Sequence, residues 1–148
     1  MAASIVTCPS CGKRNRVAPR PEGVPRCANC HNLLPWVADA GAGDFDSEVT
    51  ASVPVLIDLW APWCGPCKAV EPILQDLART RAGELKVVRV NVDEAPAIAE
   101  RFQVRGIPLL VLMQQGRERD RLAGAIPKPQ LEQWLEDRLS ADRTATTP

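Results

Sequence analysis

Two cysteines at positions 64 and 67, separated only by Gly65 and Pro66, stand between an apolar run and a helical repeat. The run Val55-Leu56-Ile57-Asp58-Leu59 is too continuous for a half-exposed strand and reads as one buried on both faces. After it, Val70, Ile73, Leu74, Leu77 and Ala78 recur at helical spacing, so the cysteines fall where a strand ends and a helix begins. A helix N-terminus offers unpaired N–H groups and a partial positive charge, and both favour thiolate over thiol. Two intervening residues keep both sulfurs on the first turn, within reach of a disulfide. Gly65 relieves crowding there, while Pro66 fixes φ and adds no N–H to a turn with donors to spare. Cys64, nearer the helix tip, is the expected nucleophile, and Cys67, one turn in, the expected resolving thiol. A structural disulfide or half of a metal site are the alternatives, which the flanking strand and helix disfavour.

The other four cysteines form Cys8-Pro-Ser-Cys11 and Cys27-Ala-Asn-Cys30, fifteen residues apart. This is the spacing of a four-thiolate zinc site, in which each pair makes a tight knuckle. Some thirty residues with few apolar side chains cannot build a core, so a metal is expected to supply the folding free energy. Two local disulfides, or free thiols, are the alternatives. His31 follows Cys30 but is read as a bystander, because four thiolates already complete a tetrahedron.

The segment Trp60-Ala61-Pro62-Trp63-Cys64-Gly65-Pro66-Cys67-Lys68 resembles the active site of the thioredoxins. The resemblance extends through Asp58, Asn91-Val92-Asp93, Arg105-Gly106-Ile107-Pro108 and Gly124-Ala125. With the N-terminal cysteines included, the chain is similar to the zinc-binding thioredoxins of the thioredoxin-2 type over all but its last few residues. It implies an α/β thioredoxin fold, a mixed central sheet with helices on both faces, preceded by a small four-cysteine zinc ribbon. It also implies a protein-disulfide reductase with Cys64, Cys67 and Asp58 catalytic, one Zn²⁺ and no bound organic cofactor. Electrons would come from NADPH through a thioredoxin reductase, and the partners would be that enzyme and disulfide-containing proteins. The chain carries no nucleotide-binding fingerprint, in keeping with that division.

A carboxylate within residues 55–60 is short of water, and burial raises its pKa unless a partner compensates. Asp58 is therefore either a structural hydrogen-bonder or a proton acceptor, and the resemblance favours the second, acting on Cys67 when it resolves a mixed disulfide. The resemblance further implies a cis Pro108 facing the cysteines, with the Ile107 backbone left to pair with an extended substrate by strand addition. Trp63, beside Cys64, is a better candidate for substrate contact than Trp60, which either lines the site or packs beneath it. Two positions depart from the family. Arg89 stands where many thioredoxins have lysine, so it either pairs with Asp58 or faces solvent on a strand edge; Leu109 replaces a common threonine and should alter packing rather than chemistry.

Along the rest of the chain the pattern predicts strand, helix, strand, helix, strand, helix, strand, strand, helix from residue 34 onward. Asp44 is placed to cap a short helix ending near residue 51. Gln115-Gly116 marks a hairpin, residues 117–122 a charged edge strand, and Pro127 opens a last helix with Leu131, Trp134, Leu135 and Leu139 on one face. The expected domains are a zinc module over 1–34, a thioredoxin domain over 35–140 and a disordered tail over 141–148. Lysine plus arginine equals aspartate plus glutamate at 18 each, which argues against nucleic acid or an anionic membrane as partner. The excess of basic residues in 1–31 is read as a solvated face. No apolar signal or spanning stretch is present, so a cytoplasmic location is expected. Six cysteines in a reducing compartment then suit metal and redox roles, and the zinc module is either structural or redox-responsive. A disulfide oxidant or isomerase is the rival activity, disfavoured by the Gly-Pro pair and the missing export signal.

Overall fold

The computed structural model describes the backbone of residues 4–145 and side chains through residue 140. Strands β1 (Ser4–Thr7) and β2 (Arg14–Val17) form an antiparallel hairpin of their own. The remaining elements are β3 (Trp36–Ala40), α1 (Phe45–Val49), β4 (Val55–Trp60), α2 (Gly65–Thr80), β5 (Lys86–Asn91), α3 (Pro96–Arg101), β6 (Leu109–Gln114), β7 (Arg117–Ala123) and α4 (Lys128–Ala145). Five of them make one sheet in the order β3-β5-β4-β6-β7. The first three strands are parallel, and β6 and β7 run antiparallel to their neighbours, closing on the two-residue turn Gln115-Gly116. Both turn residues have positive φ, at 53° and 77°, which matches the twist of the paired strands.

Strand alternation sorts the core into two layers. Val55, Ile57, Leu59, Val88, Val90, Val111 and Met113 meet Phe45, Ile98 and Phe102 of α1 and α3 and their flanks on one face. Leu56, Val87, Leu110 and Leu112 meet Val70, Leu74 and Leu77 of α2, and Leu131, Trp134 and Leu135 of α4, on the other. Helices therefore cover both faces, in the element order predicted from sequence.

Three local features differ from expectation. Asp44 occupies the N-cap of α1, but its side chain makes no cap hydrogen bond; Oδ1 accepts instead from the Gly41 N–H at 2.7 Å, so the carboxylate closes the preceding turn. Helix α4 continues to Ala145, so residues 141–145 are helical where a disordered tail was expected. No proline or glycine interrupts 141–145 to stop it, and the rest of the expected tail, residues 146–148, lies outside the described residues. The β1–β2 hairpin was not anticipated.

The N-terminal hairpin rests on the edge of the main sheet. Val6, Cys8, Val17, Cys27 and Leu34 cluster with Trp36 of β3. Lys86, fully buried at the start of β5, lies 4.4 Å over the Trp36 ring and donates to the Glu48 carbonyl at 2.6 Å and Glu48 Oε1 at 2.9 Å. Burial lowers the Lys86 pKa, and the Glu48 hydrogen bond and charge oppose that shift. Leu33 packs on the turn after α2, where Gly83 has φ of +83° and an added Cβ would lie 2.9 Å from Leu33 Cδ1. Gly83→Ala should therefore lower unfolding stability by about 1–2 kcal/mol, chiefly through the left-handed backbone, as read by urea denaturation.

Candidate functional site

The paired cysteines sit where the C-terminal end of β4 turns into α2. Cys64 is the N-cap residue of α2 with extended backbone, and Pro66 lies in the first turn, where its missing N–H costs nothing. The Cys67 N–H donates to Cys64 Sγ at 3.1 Å, so a spare helix donor is aimed at the outer sulfur. Cys64 and Cys67 are joined as a disulfide with a Cα–Cα distance of 5.3 Å. Both are nearly buried, packed with Ala61 and flanked by Trp60, Val92 and Ile107.

The Ile107–Pro108 peptide is cis. The Pro108 carbonyl accepts from the Gly124 N–H at 2.9 Å, while half-buried Ile107 packs against the disulfide cluster. Gly65 is exposed, as is Trp63 at 71 %, and the Trp63 indole donates to Asp93 Oδ2 at 2.9 Å. Trp60 is half-buried beneath. Leu109 is buried with Leu59 and Val111 on the opposite sheet face, so its departure from threonine enlarges the core rather than the site.

Asp58 lies on the sheet face that α2 covers, at 1 % exposure. Strand register aligns Asp39 of β3, Arg89 of β5, Asp58 of β4 and Leu110 of β6 in one row. Arg89 Nε donates to Asp58 Oδ2 at 3.2 Å, its Nη1 to Glu71 Oε1 at 3.3 Å, and its guanidinium stacks 4.5 Å over Trp60. Arg89 thus pairs with the acid, and β5 is an interior strand, not an edge. Burial pushes the Asp58 carboxyl up to about 6, with the Arg89 charge and hydrogen bond pulling down and Glu71 and Asp39 adding to the rise. Oδ1 accepts no hydrogen bond among the described residues, which leaves it the oxygen able to take a proton.

The sulfurs of Cys8, Cys11, Cys27 and Cys30 converge within 4.8 Å of one another, a donor set able to hold a metal ion. Their knuckles are copies of one another. Cys8 and Cys27 N–H donate to the carbonyls of Lys13 and Asn32, and their own carbonyls accept from the N–H groups of Gly12 and His31. His31 therefore holds the left-handed position that Gly12 holds in the first knuckle, with φ of 66° against 80°, which explains its placement without a ligand role. Asn15 supports the cluster: its Nδ2 donates to Cys27 Sγ at 3.6 Å and its Oδ1 accepts from the Ala28 N–H at 2.9 Å. The backbone N–H groups of Cys30 and Asn29, with Asn15, lower the Cys27 thiol to about 6 against its burial. At Cys30 the Asn32 N–H acts downward, but burial and the neighbouring thiols prevail and raise it to about 11.

The family model described as Thioredoxin matches residues 37–137. The chain belongs to the thioredoxin family. It is 47 % identical over 96 residues to Thioredoxin 1 of Nostoc sp., covering 64 % of this chain and 90 % of that protein. It is 46 % identical over 93 residues to Thioredoxin of Haemophilus influenzae, covering 62 % and 87 % respectively. With Thioredoxin C-3 of Corynebacterium nephridii the identity is 38 % over 139 residues, 91 % of this chain and 95 % of that protein, so the match reaches into the N-terminal module. The chain is accordingly a thiol-disulfide oxidoreductase of the disulfide-reducing kind. Among the described residues no helix is long and apolar enough to cross a membrane.

Glu71 and Asn15 escaped the sequence reading. Glu71 looks like an ordinary charge on a solvated helix face, and only strand order brings Arg89 beneath it. Asn15 lies inside the charged run Lys13-Arg14-Asn15-Arg16, and only the pairing of β2, which buries Val17 and Asn15 on one face, turns it inward.

Proposed function

We propose that the chain reduces protein disulfides through Cys64 and Cys67. In the reduced protein the Cys64 thiolate attacks one sulfur of a substrate disulfide, forming a mixed disulfide and expelling the other substrate sulfur as a thiolate. Cys67 then loses its proton to Asp58 and attacks Cys64 Sγ, releasing the second substrate thiol and leaving the Cys64–Cys67 disulfide. The observation that carries this reading is the Cys67 N–H aimed at Cys64 Sγ from the first turn of α2. That donor and the helix dipole stabilise a thiolate on Cys64 rather than on Cys67. Trp63, Gly65, Pro66 and the Ile107–Pro108 backbone frame the disulfide as a substrate-contact surface. Two electrons from NADPH, delivered by a thioredoxin reductase in the cytoplasm, restore the dithiol. The reading predicts a redox potential near the reducing end of the family, about −270 mV. Equilibration with glutathione measures it; a value near −120 mV would make the protein an oxidant instead.

The same proposal assigns one Zn²⁺ to Cys8, Cys11, Cys27 and Cys30, as in the thioredoxin-2 type. The convergent thiols, the paired knuckles and the Asn15 contact support a closed, structural four-thiolate centre. Bound there, zinc supplies cross-linking of the two knuckles. The purified full chain is expected to carry one zinc per chain. Stripping it with a strong chelator should cost amide protection in β1 and β2 while α2 and the central sheet keep theirs, as hydrogen exchange reads. Zinc lost already at mild peroxide would make the module redox-responsive. Protein that never carries zinc would sink the assignment.

A further inference from the structure

Arg89 is held at three places at once: Nε on Asp58, Nη1 on Glu71, and the guanidinium plane on Trp60. A guanidinium fixed at one end only swings about its flexible stem, whereas a second carboxylate and a ring face fix its plane. Glu71 supplies the second carboxylate from α2, four residues and about one turn beyond Cys67, so the two lie on one helix face. Its side chain is 45 % exposed, while Asp58 at the other end of the guanidinium is almost wholly enclosed.

We propose that Glu71 is a positioning residue for the resolving step, acting on Asp58 through the Arg89 guanidinium. The inference rests on the reading of Asp58 as the acceptor of the Cys67 proton. An aspartate paired one-to-one with an arginine is held as an anion and becomes a poor base, its pKa lowered by about 1–3 units. Here one positive charge serves two carboxylates, and Asp39 faces Arg89 from the next strand. Sharing weakens the hold on Asp58 without releasing its orientation: Oδ2 stays engaged and Oδ1 remains open to the proton. The charged groups acting on Asp58 are Arg89 on β5, Glu71 on α2 and Asp39 on β3; β6 contributes Leu110 at this level. An arginine cannot itself pass a proton on, so its part is confined to orientation and charge.

The test uses the full zinc-loaded chain and the variant Glu71→Gln, which keeps an acceptor oxygen for Arg89 and removes only the charge. Two quantities are measured: the Asp58 carboxyl titration by carbon NMR in the oxidised protein, and the pH profile of mixed-disulfide resolution by stopped flow. Glu71→Gln should lower the Asp58 midpoint and the acid limb of resolution together by about half a pH unit, with the melting temperature nearly unchanged. Arg89→Gln should move the midpoint the other way by about one unit. If Arg89→Gln does not fold, Glu71→Gln still decides, because its side chain is half-exposed. An unmoved Asp58 midpoint in Glu71→Gln overturns the role of Glu71, and so does a moved midpoint with an unmoved acid limb. Asp58→Asn is the separate control: if it resolves at the normal rate, the proton-acceptor reading fails, whatever Glu71 does to the Asp58 titration.

Discussion

Cys67→Ser is expected to stop turnover with substrate covalently attached to Cys64. The variant leaves the nucleophile intact, because the donor aimed at Cys64 Sγ is the backbone N–H of residue 67, not its side chain. Attack on a substrate disulfide should therefore proceed, and the mixed disulfide should form. What is missing is the second thiol, which in the native chain is only one helical turn away, at a Cα–Cα distance of 5.3 Å. Holding two reacting groups at such range corresponds to effective molarities up to about 10⁵–10⁸ M, which millimolar external thiol cannot match. Release of the second substrate thiol should fall by at least about 10³-fold. Intact-mass spectrometry of the quenched mixture should show a one-to-one adduct with Cys67→Ser and none with Cys64→Ser. An adduct on Cys64→Ser would reverse the two roles.

The thioredoxin layer was open to the sequence because its signals are local and repeated. Residues 55–59 are apolar on both faces but for Asp58, α2 declares its buried stripe, and Gln115-Gly116 names its own turn. Each element could be read without knowing its neighbours. What could not be read depends on strand order. Arg89 had two equal environments until β5 was found between β3 and β4, which removes the solvent edge and puts Asp58 beside it. Glu71 follows from that, since its partner is defined only once α2 lies over the Asp39-Arg89-Asp58 row. The β1–β2 hairpin was hidden for a different reason. Four-residue strands bearing Arg14 and Arg16 lack the apolar alternation that marks a strand, and their order comes from the cysteine knuckles and from packing on Trp36. Asp44 shows the limit of a residue-type rule: an aspartate before a helix had a nearer donor in Gly41, and took it.

Asp58→Asn should act in opposite directions on stability and on catalysis. The native Asp58 titrates near 6, against an ordinary value of 3.8. Between those pH values the folded chain holds a proton that the unfolded chain has released, so stability falls as pH rises through the window. Above about pH 6 the full cost of a buried carboxylate persists, on the order of 3 kcal/mol. Asparagine carries no charge and escapes that cost, although Arg89 loses one carboxylate and keeps Glu71 and Trp60. The net gain at pH 8 should be about 1–3 kcal/mol, vanishing below about pH 3, where the native aspartate is protonated in both states. Urea denaturation at the two pH values measures it. Over the same substitution the resolving step should slow by about 10²-fold or more, the usual contribution of a positioned base, while first attack by Cys64 stays close to normal. Single-turnover kinetics separates the two steps. Equal slowing of both would place Asp58 behind Cys64 instead of Cys67, and no slowing would reduce it to a structural acid. A more stable variant with only its second step impaired would mean that the burial of Asp58, costly to the fold, serves the transfer of one proton from Cys67.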